Sequence, residues 1–485
     1  MKIDLQLKDV DALFPKTFTE EQKAEAKTLF LKNLSLSAHE FYGGKIQTVP
    51  SCGIYGTNWF NVWYTPGVSK ISTTIRDDDD ASFRLTERGR TVAVVSDSTR
   101  VLGDGDCHAA GGLGVMEGKA MLMKYLGGVD CVPLCIDSRD EDGKHSPDKI
   151  IEFVKMVQHS FGAINLEDIS QPNCFKVLDE LRESCDIPVW HDDAQGTACV
   201  TLAGLLNALK LTGRKLQDSK IVLLGCGAAN STIARLILTD GGDPDKMFIL
   251  DSHGPLHEGR EDIRKDTRYY RKWELCQKTN KTRIDDIDTI MKGADVLIAL
   301  STPGSLKKEW VGKMAKESIV FACANPVPEI WPFEAKEAGA AIVATGRGDF
   351  PNQVNNSICF PGILKGALLV RARKITDNMA IRCSHSIADY SEKIGISNDN
   401  IIATMKETEL FAVEAADVAM QAIKDGVARE KLTWQEVYDI ALAGIKKSRA
   451  LTEKMQENGF IEEPPEEMLQ KALKDAVDAV ACKNV

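Results

Sequence analysis

Two short apolar runs, each closed by adjacent acids, constrain this chain more than anything else in it. Phe161-Gly162-Ala163-Ile164-Asn165-Leu166 runs into Glu167-Asp168, and Ile187-Pro188-Val189-Trp190 runs through His191 into Asp192-Asp193. Apolar runs of about four to eight residues read as buried strands. Four carboxylates then project from the C-terminal ends of neighbouring strands, the edge at which open α/β sheets place their sites. Taken singly, the acids read as helix caps, since Asp168 precedes Ile169-Ser170-Gln171-Pro172 and Asp193 precedes a long helical run. Taken together, four like charges repel unless a cation neutralises them, and oxygen donors suit Mg2+ or Mn2+. Cap and metal are the two readings the spacing allows.

The same punctuation continues along the chain. Thr91 to Val95 reads as a strand, Val115 to Leu126 as a helix with Met116, Ala120, Met123 and Leu126 on one face, Val129 to Ile136 as a strand and Pro147 to Phe161 as a helix. Such alternation means βαβ units and a mostly parallel sheet. A nearly all-apolar helix follows, Thr197 to Leu211, expected to be buried between domains. A second α/β segment runs from Lys220 to Val343, with strands at Ile221–Leu224, Phe248–Leu250, Val296–Ala299, Ile319–Ala322 and Ala341–Val343. At the N-terminus, residues 1–60 read as mostly helical, then loop; Thr19-Glu20-Glu21-Gln22 is a capping box opening a helix with Leu29, Leu31 and Leu34. Residues beyond 375 read as helices broken at Glu463-Pro464-Pro465, and the last helix, Glu466 to Ala481, as an addition used in assembly. The fold class is therefore α/β with a C-terminal helical extension.

Bulk composition narrows the partners. The chain has 485 residues, room for about two to four domains. Its net charge of −11 argues against nucleic acid and anionic membrane, which both attract a basic face. No run approaches bilayer-spanning length, and the N-terminus carries neither a signal peptide nor a transit peptide pattern. Thirteen cysteines lie scattered without C-x-x-C spacing, and the closest two, Cys131 and Cys135, sit in an apolar run. A reduced, cytoplasmic protein is the expectation.

Strand Ile221–Leu224 opens into Gly225-Cys226-Gly227-Ala228-Ala229-Asn230 and a helix through Ile233, Ala234, Leu236 and Ile237. A glycine turn lets backbone approach a pyrophosphate, and the helix N-terminus offers free N–H groups and partial positive charge. Asn230 stands where the fingerprint has its third glycine. Asp251, with Ser252 after it, ends the next strand, the place of a ribose-binding acid. Asp251 alone favours NAD because it repels a 2′-phosphate, whereas Ser252, His253, Arg260, Arg264 and Lys265 offer hydrogen bonds and positive charge to one. NAD and NADP both remain open on these residues, and a structural βα turn is the alternative to either.

Acids for a metal beside a dinucleotide turn suggest metal-assisted oxidation of a hydroxy acid. From about residue 45 to 430 the chain resembles the malic enzymes, especially their compact microbial type. The motifs are Tyr64-Thr65-Pro66-Gly67-Val68, Met116-Glu117-Gly118-Lys119-Ala120, Asn165-Leu166-Glu167-Asp168-Ile169, His191-Asp192-Asp193-x-x-Gly196-Thr197-Ala198, Ala324-Asn325-Pro326, and Ala344-Thr345-Gly346-Arg347 to Pro361-Gly362. The resemblance implies an N-terminal substrate and metal domain over residues 1–205, a Rossmann-type NAD(P)-binding domain over 206–375 and a C-terminal helical segment over 376–485. It implies oxidative decarboxylation of L-malate to pyruvate and CO2, with NADP favoured over NAD by the Asp-Ser-x-Gly wording after the second strand, and Mg2+ or Mn2+ required. By the same resemblance Glu167, Asp168 and Asp193 are metal ligands, Tyr64 is the general acid, and Lys119 is the general base with Asp192 beside it. Arg100 grips a malate carboxylate, Asn325 and Asn356 contact substrate, and Gly225, Gly227, Ala228, Ala229, Asn230, Asp251, Ser252 and Asn325 line the cofactor. A homodimer or higher homo-oligomer is implied too, with the N-terminal helices and C-terminal extension as contact surfaces.

Each residue taken alone has a plainer reading: Tyr64 a packed aromatic beside Trp63, Lys119 a solvated lysine, Asn325 a turn residue. The chemistry nevertheless needs these types. A lysine made neutral by apolar surroundings or nearby cations can take the C2 hydroxyl proton as hydride leaves. A divalent metal holds electrons at C2 during decarboxylation, and a phenol beside a cationic lysine protonates C3. The chain departs from the family wording at Asp97-Ser98-Thr99 and Leu102-Gly103-Asp104-Gly105, where Asp104, Asp106 and His108 add polarity beside Arg100. A malolactic-type lyase that retains its NAD, and a non-catalytic sensor of malate or dinucleotide, are the other functions considered.

Overall fold

Continuous apolar runs become parallel strands covered by helices on both faces, because a strand buried on both sides cannot alternate. The computed structural model describes residues 3–482 and divides into two compact units, residues 52–448 and residues 1–51 with 449–485.

In the larger unit, β1 (Thr91–Ser96), β2 (Asp130–Cys135), β3 (Ala163–Leu166) and β4 (Val189–His191) form an all-parallel sheet in the order β2-β1-β3-β4. The expected helices occur at Leu113–Gly127 and Pro147–Val157, the latter closing in a tighter turn over Gln158–Ser160. A helix at Val68–Asp77 was not anticipated from the sequence.

A second sheet contains β5 (Ile221–Leu224), β6 (Met247–Asp251), β7 (Gly254–Pro255), β8 (Val296–Ala299), β9 (Ser318–Ala322) and β10 (Ala340–Thr345). Its order is β10-β9-β8-β5-β6-β7, parallel except for the short β7, which turns back on β6. The helix Thr197–Leu211 is buried on almost every side and packs against Ala228–Thr239 and Asp377–Ile394, which explains its all-apolar sequence. Helices Phe360–Leu369, Asp377–Ile394 and Thr408–Lys424 share one apolar cluster with the faces of β5 and β8, and Val437, Ala441 and Ile445 join it. The helical segment beyond residue 375 thus enters the main core as far as Ile445, with Asp377–Ile394 packed on Thr197–Leu211 and Thr408–Lys424 on Phe360–Leu369.

In the smaller unit, the helix Glu20–Tyr42 packs along Glu466–Cys482, with Ala26 and Phe30 meeting Leu469, Ala472, Ala476 and Val480. Its capping box forms: Gln22 N–H donates to Thr19 Oγ1 at 3.2 Å and Thr19 N–H to Gln22 Oε1 at 2.8 Å. The helix stops at Gly43, whose φ of 66° lies in the left-handed region that favours glycine. Among the described residues no helix is long and apolar enough to cross a membrane.

Candidate active site

The acid pairs sit where β3 and β4 end, and neither pair caps a helix. Asn173–Ser184 begins after Pro172 without a side-chain cap, and β4 leads into a wide π-type stretch, Asp192–Gly196, that is likewise uncapped. Asp193 Oδ2 instead accepts the backbone N–H of Asp168 at 2.7 Å, tying one strand end to the other. Asp168 adopts a left-handed backbone (φ 53°) to make that turn. One carboxylate oxygen from each of Glu167, Asp168 and Asp193 lies within 4.8 Å of the others. Asp168 Oδ2 is buried with no hydrogen-bond partner. Burial, and then the charge of Asp193, push Asp168 up to about 7 and hold Glu167 well above the ordinary carboxylate range. Two buried carboxylates crowded against a half-exposed third, with an orphaned oxygen, are a costly arrangement by themselves, of the kind a small divalent cation with oxygen preference relieves.

Asp192 separates from the other three acids. It is fully buried and faces Lys119, which the helix Leu113–Gly127 presents while Met116, Ala120 and Met123 anchor that helix in the core. Lys119 Nζ lies 2.5 Å from Asp192 Oδ2 and 3.0 Å from Glu167 Oε1, with the Phe360 ring centroid 4.6 Å away. Burial opposes the charge on this lysine, but Asp192, Glu167 and Asp193 outweigh it and hold the ammonium above its usual range. This corrects the expectation of a lysine made neutral by apolar surroundings or cations: periodicity placed Lys119 on its helix but did not show the two acids facing it.

Arg100 follows β1 in an exposed loop. Its backbone N–H donates to the Asp168 carbonyl at 2.9 Å, and its positive charge reaches Asp168. The polar residues of this loop are partly spent on itself: Asp106 accepts the His108 N–H at 2.9 Å and pairs with His145 at 3.1 Å. A Cβ on Gly103 would fall 3.0 Å from the Asn325 carbonyl, so the loop meets the segment after β9. That segment is pinned by Glu329, a buried acid the sequence reading missed, which accepts the N–H groups of Ala324 at 2.9 Å and Ser301 at 2.6 Å. Asn356 packs beside Gly196, next to Asp192. Arg100, Asn325 and Asn356 therefore come to loops bordering the acid cluster.

Among the described residues no hydrogen bond joins Tyr64 to Lys119. The Tyr64 side chain is 71% exposed and makes no hydrogen bond among the described residues. It ends an exposed segment carrying Ile54, Tyr55, Trp59, Phe60, Val62 and Trp63, in which the Tyr55 ring meets Trp59 edge-on and Trp59 lies tilted against Trp63.

At the dinucleotide turn, Gly225 has φ 94° and a Cβ there would sit 2.4 Å from the Leu300 carbonyl, so only glycine fits. A Cβ on Gly227 would meet nothing within 4 Å, leaving open space before the helix Ala228–Thr239, which has no side-chain cap. Open space ahead of uncapped N–H groups fits a pyrophosphate. Asn230 Nδ2 donates to the carbonyls of Leu224 at 3.0 Å and Gly225 at 2.9 Å, closing the turn from the third-glycine position. Asp251 is saturated: Oδ1 accepts from Arg260 at 3.0 Å and the His253 N–H at 2.8 Å, and Oδ2 from Arg260 at 3.0 Å and Lys272 at 2.8 Å. Arg264 turns to Glu261, and Ser252 and His253 remain exposed. Lys272, from the helix Tyr270–Lys278, has no sequence signal linking it to Asp251.

The malic enzyme N-terminal domain model matches residues 46–182, and the malic enzyme NAD binding domain model matches residues 194–424. An NAD-dependent malic enzyme from Geobacillus stearothermophilus is 42% identical over 389 residues, 80% of this chain and 78% of that protein. The chain belongs to the malic enzyme family. An NADP-dependent malic enzyme from Halomonas elongata is 38% identical over 381 residues, 76% of this chain and 87% of its own. The crystal structure of Entamoeba histolytica malic enzyme superposes with a TM-score of 0.96 at 61% identity, covering 99% of each chain. The fold is thus that of a malic enzyme: an N-terminal α/β part and a Rossmann-type dinucleotide part, completed by C-terminal helices.

Proposed function

We propose that this malic enzyme oxidises L-malate at C2 with NADP and decarboxylates the resulting oxaloacetate to pyruvate and CO2. The observation that carries the reading is Lys119 set between Asp192 and Glu167 at the edge of the Glu167, Asp168 and Asp193 cluster. Those three acids would hold Mg2+ or Mn2+, which when bound supplies a Lewis acid for the C2 oxygen and offsets carboxylate charge beside Lys119. Arg100 receives a malate carboxylate, and Asn325 and Asn356 orient the substrate from the bordering loops. Asp192 and Glu167 favour the ammonium of Lys119 in the free chain, so it would release one proton to solvent as the metal and substrate bind, and would then take the C2 hydroxyl proton as hydride passes to the nicotinamide. Loss of CO2 leaves the enolate of pyruvate, which takes one proton at C3 to become the ketone.

Tyr64 is the assigned donor of that proton, and its exposure fits delivery by a second copy of the chain. A homodimer covering the aromatic segment would bring each Tyr64 to the partner's Lys119. Asp251 has no acceptor left for a ribose hydroxyl, whereas the Lys272 ammonium gives one proton to Asp251 and keeps two. That balance favours a 2′-phosphate, hence NADP. Thirteen free thiols suit a reducing, cytoplasmic location.

Malate assayed with NAD and NADP in turn, with Mn2+ present, tests the reading. Malate-dependent NADPH with equimolar pyruvate is expected. Lactate without net reduced cofactor would identify the malolactic alternative, and higher kcat/KM with NAD would overturn the cofactor assignment.

A further inference from the structure

The two N–H donors behind the Lys119 clamp stand opposite one another in the first sheet. Asn165 on β3 and Trp190 on β4 are register partners, and both are completely buried. Each holds the acid two residues further along its own segment. Asn165 Nδ2 donates to Glu167 Oε2 at 2.9 Å, and Trp190 Nε1 donates to Asp192 Oδ1 at 3.2 Å. The remaining oxygen of each acid faces the lysine, Glu167 Oε1 at 3.0 Å and Asp192 Oδ2 at 2.5 Å. Each carboxylate is therefore fixed at one oxygen by a neutral donor and spends the other on the ammonium.

A carboxylate held only by Lys119 would turn about its last bond and carry Nζ with it. Held at both oxygens, the pair gives the ammonium one resting place at the mouth of the site, where its side chain is 11% exposed. Removing either donor leaves a buried oxygen unpaired, which favours rotation of the acid towards the lysine. The Trp190 indole meets this need inside the core, because its ring packs in the apolar cluster while its N–H serves the site.

We infer that Asn165 and Trp190 are positioning residues of the reaction, whose N–H groups fix Glu167 and Asp192 and thereby aim Lys119 Nζ at the substrate's C2 hydroxyl. This rests on the reading of Lys119 as the base. Trp190→Phe removes the N–H and keeps most of the ring. Its kcat is expected to fall roughly 10–100-fold, the range for lost outer-shell partners, with KM for malate changed less than about twofold. The primary deuterium isotope effect on kcat/KM with C2-deuterated malate is expected to rise, because a misaimed base makes hydride departure more fully rate-limiting. Wild-type kcat overturns the inference. So does a lower kcat with an unchanged isotope effect, because partial unfolding reduces the active fraction and leaves the isotope effect as it was. If Trp190→Phe fails to fold, Asn165→Leu applies the same readouts to the other arm. Lys119→Ala separates the two levels: full turnover there ends the base assignment, whereas an inactive Lys119→Ala beside a normal Trp190→Phe ends only the positioning role.

Discussion

If Tyr64 acts in the partner's site, two dead variants should make one live enzyme. Tyr64→Phe and Lys119→Ala each remove one proton-transfer group, and each should lose about 10²-fold or more in kcat. In a heterodimer of the two, one site lacks both groups and the other has both, Lys119 from one copy and Tyr64 from its partner. Half the sites are then intact, so activity should return to about half of wild type, roughly 50-fold above either parent. The exposed segment is large enough to hold such a dimer through purification. Tyr55, Trp59, Phe60, Trp63 and Tyr64 are 77%, 37%, 50%, 44% and 71% exposed. At typical aromatic areas their burial is worth on the order of 10 kcal/mol before association costs. Co-expression with two different affinity tags and purification on both isolates the heterodimer, and NADPH absorbance reads its activity. A doubly purified hybrid no more active than its parents would refute the reasoning, because sites built from a single copy stay broken in every hybrid.

Two further outcomes follow from buried charge. Lys272→Gln should lower the NADP-to-NAD ratio of kcat/KM by roughly 10–100-fold, the worth of one charge-assisted hydrogen bond, and an unchanged ratio in steady-state kinetics would remove Lys272 from the cofactor site. Glu414 is completely buried, both its carboxylate oxygens lack partners, and burial lifts it well above the ordinary carboxylate range. Above about pH 4.3 the unfolded chain releases this proton while the folded chain keeps it, so stability declines as pH rises towards the folded value, by up to about 1.4 kcal/mol per pH unit. Glu414→Gln should cancel that decline, and thermal melts of variant and wild type should diverge as pH rises above about 4.3. A constant gap would mean that Glu414 titrates normally.

Features written within one element were legible in the sequence. The strands carrying Glu167 and Asp192 showed as apolar runs, the glycine turn showed between its strand and helix, and the Thr19 capping box was there to read. Contacts set by the packing of distant elements were not. Lys272 and Asp251 meet because a helix folds back on the second sheet, and Glu329 ties Ala324 to Ser301 across two strand ends. Asn230 was visible at the third-glycine position, but its side-chain bonds across the turn to Leu224 and Gly225 were not. The C-terminal helices looked like an extension because their apolar faces do not say what they cover; Asp377–Ile394 covers Thr197–Leu211, and Thr408–Lys424 covers Phe360–Leu369. Tyr64 is an intermediate case: its motif was legible, but its exposure within one folded copy was not.

The most direct measurement is a product balance on the purified protein with L-malate, NADP and Mn2+, repeated after chelation with EDTA. Equimolar pyruvate, CO2 and NADPH that vanish with the metal and return on its replacement are predicted. NADPH without CO2, or turnover indifferent to EDTA, would contradict a site in which Glu167, Asp168 and Asp193 hold the ion beside Lys119.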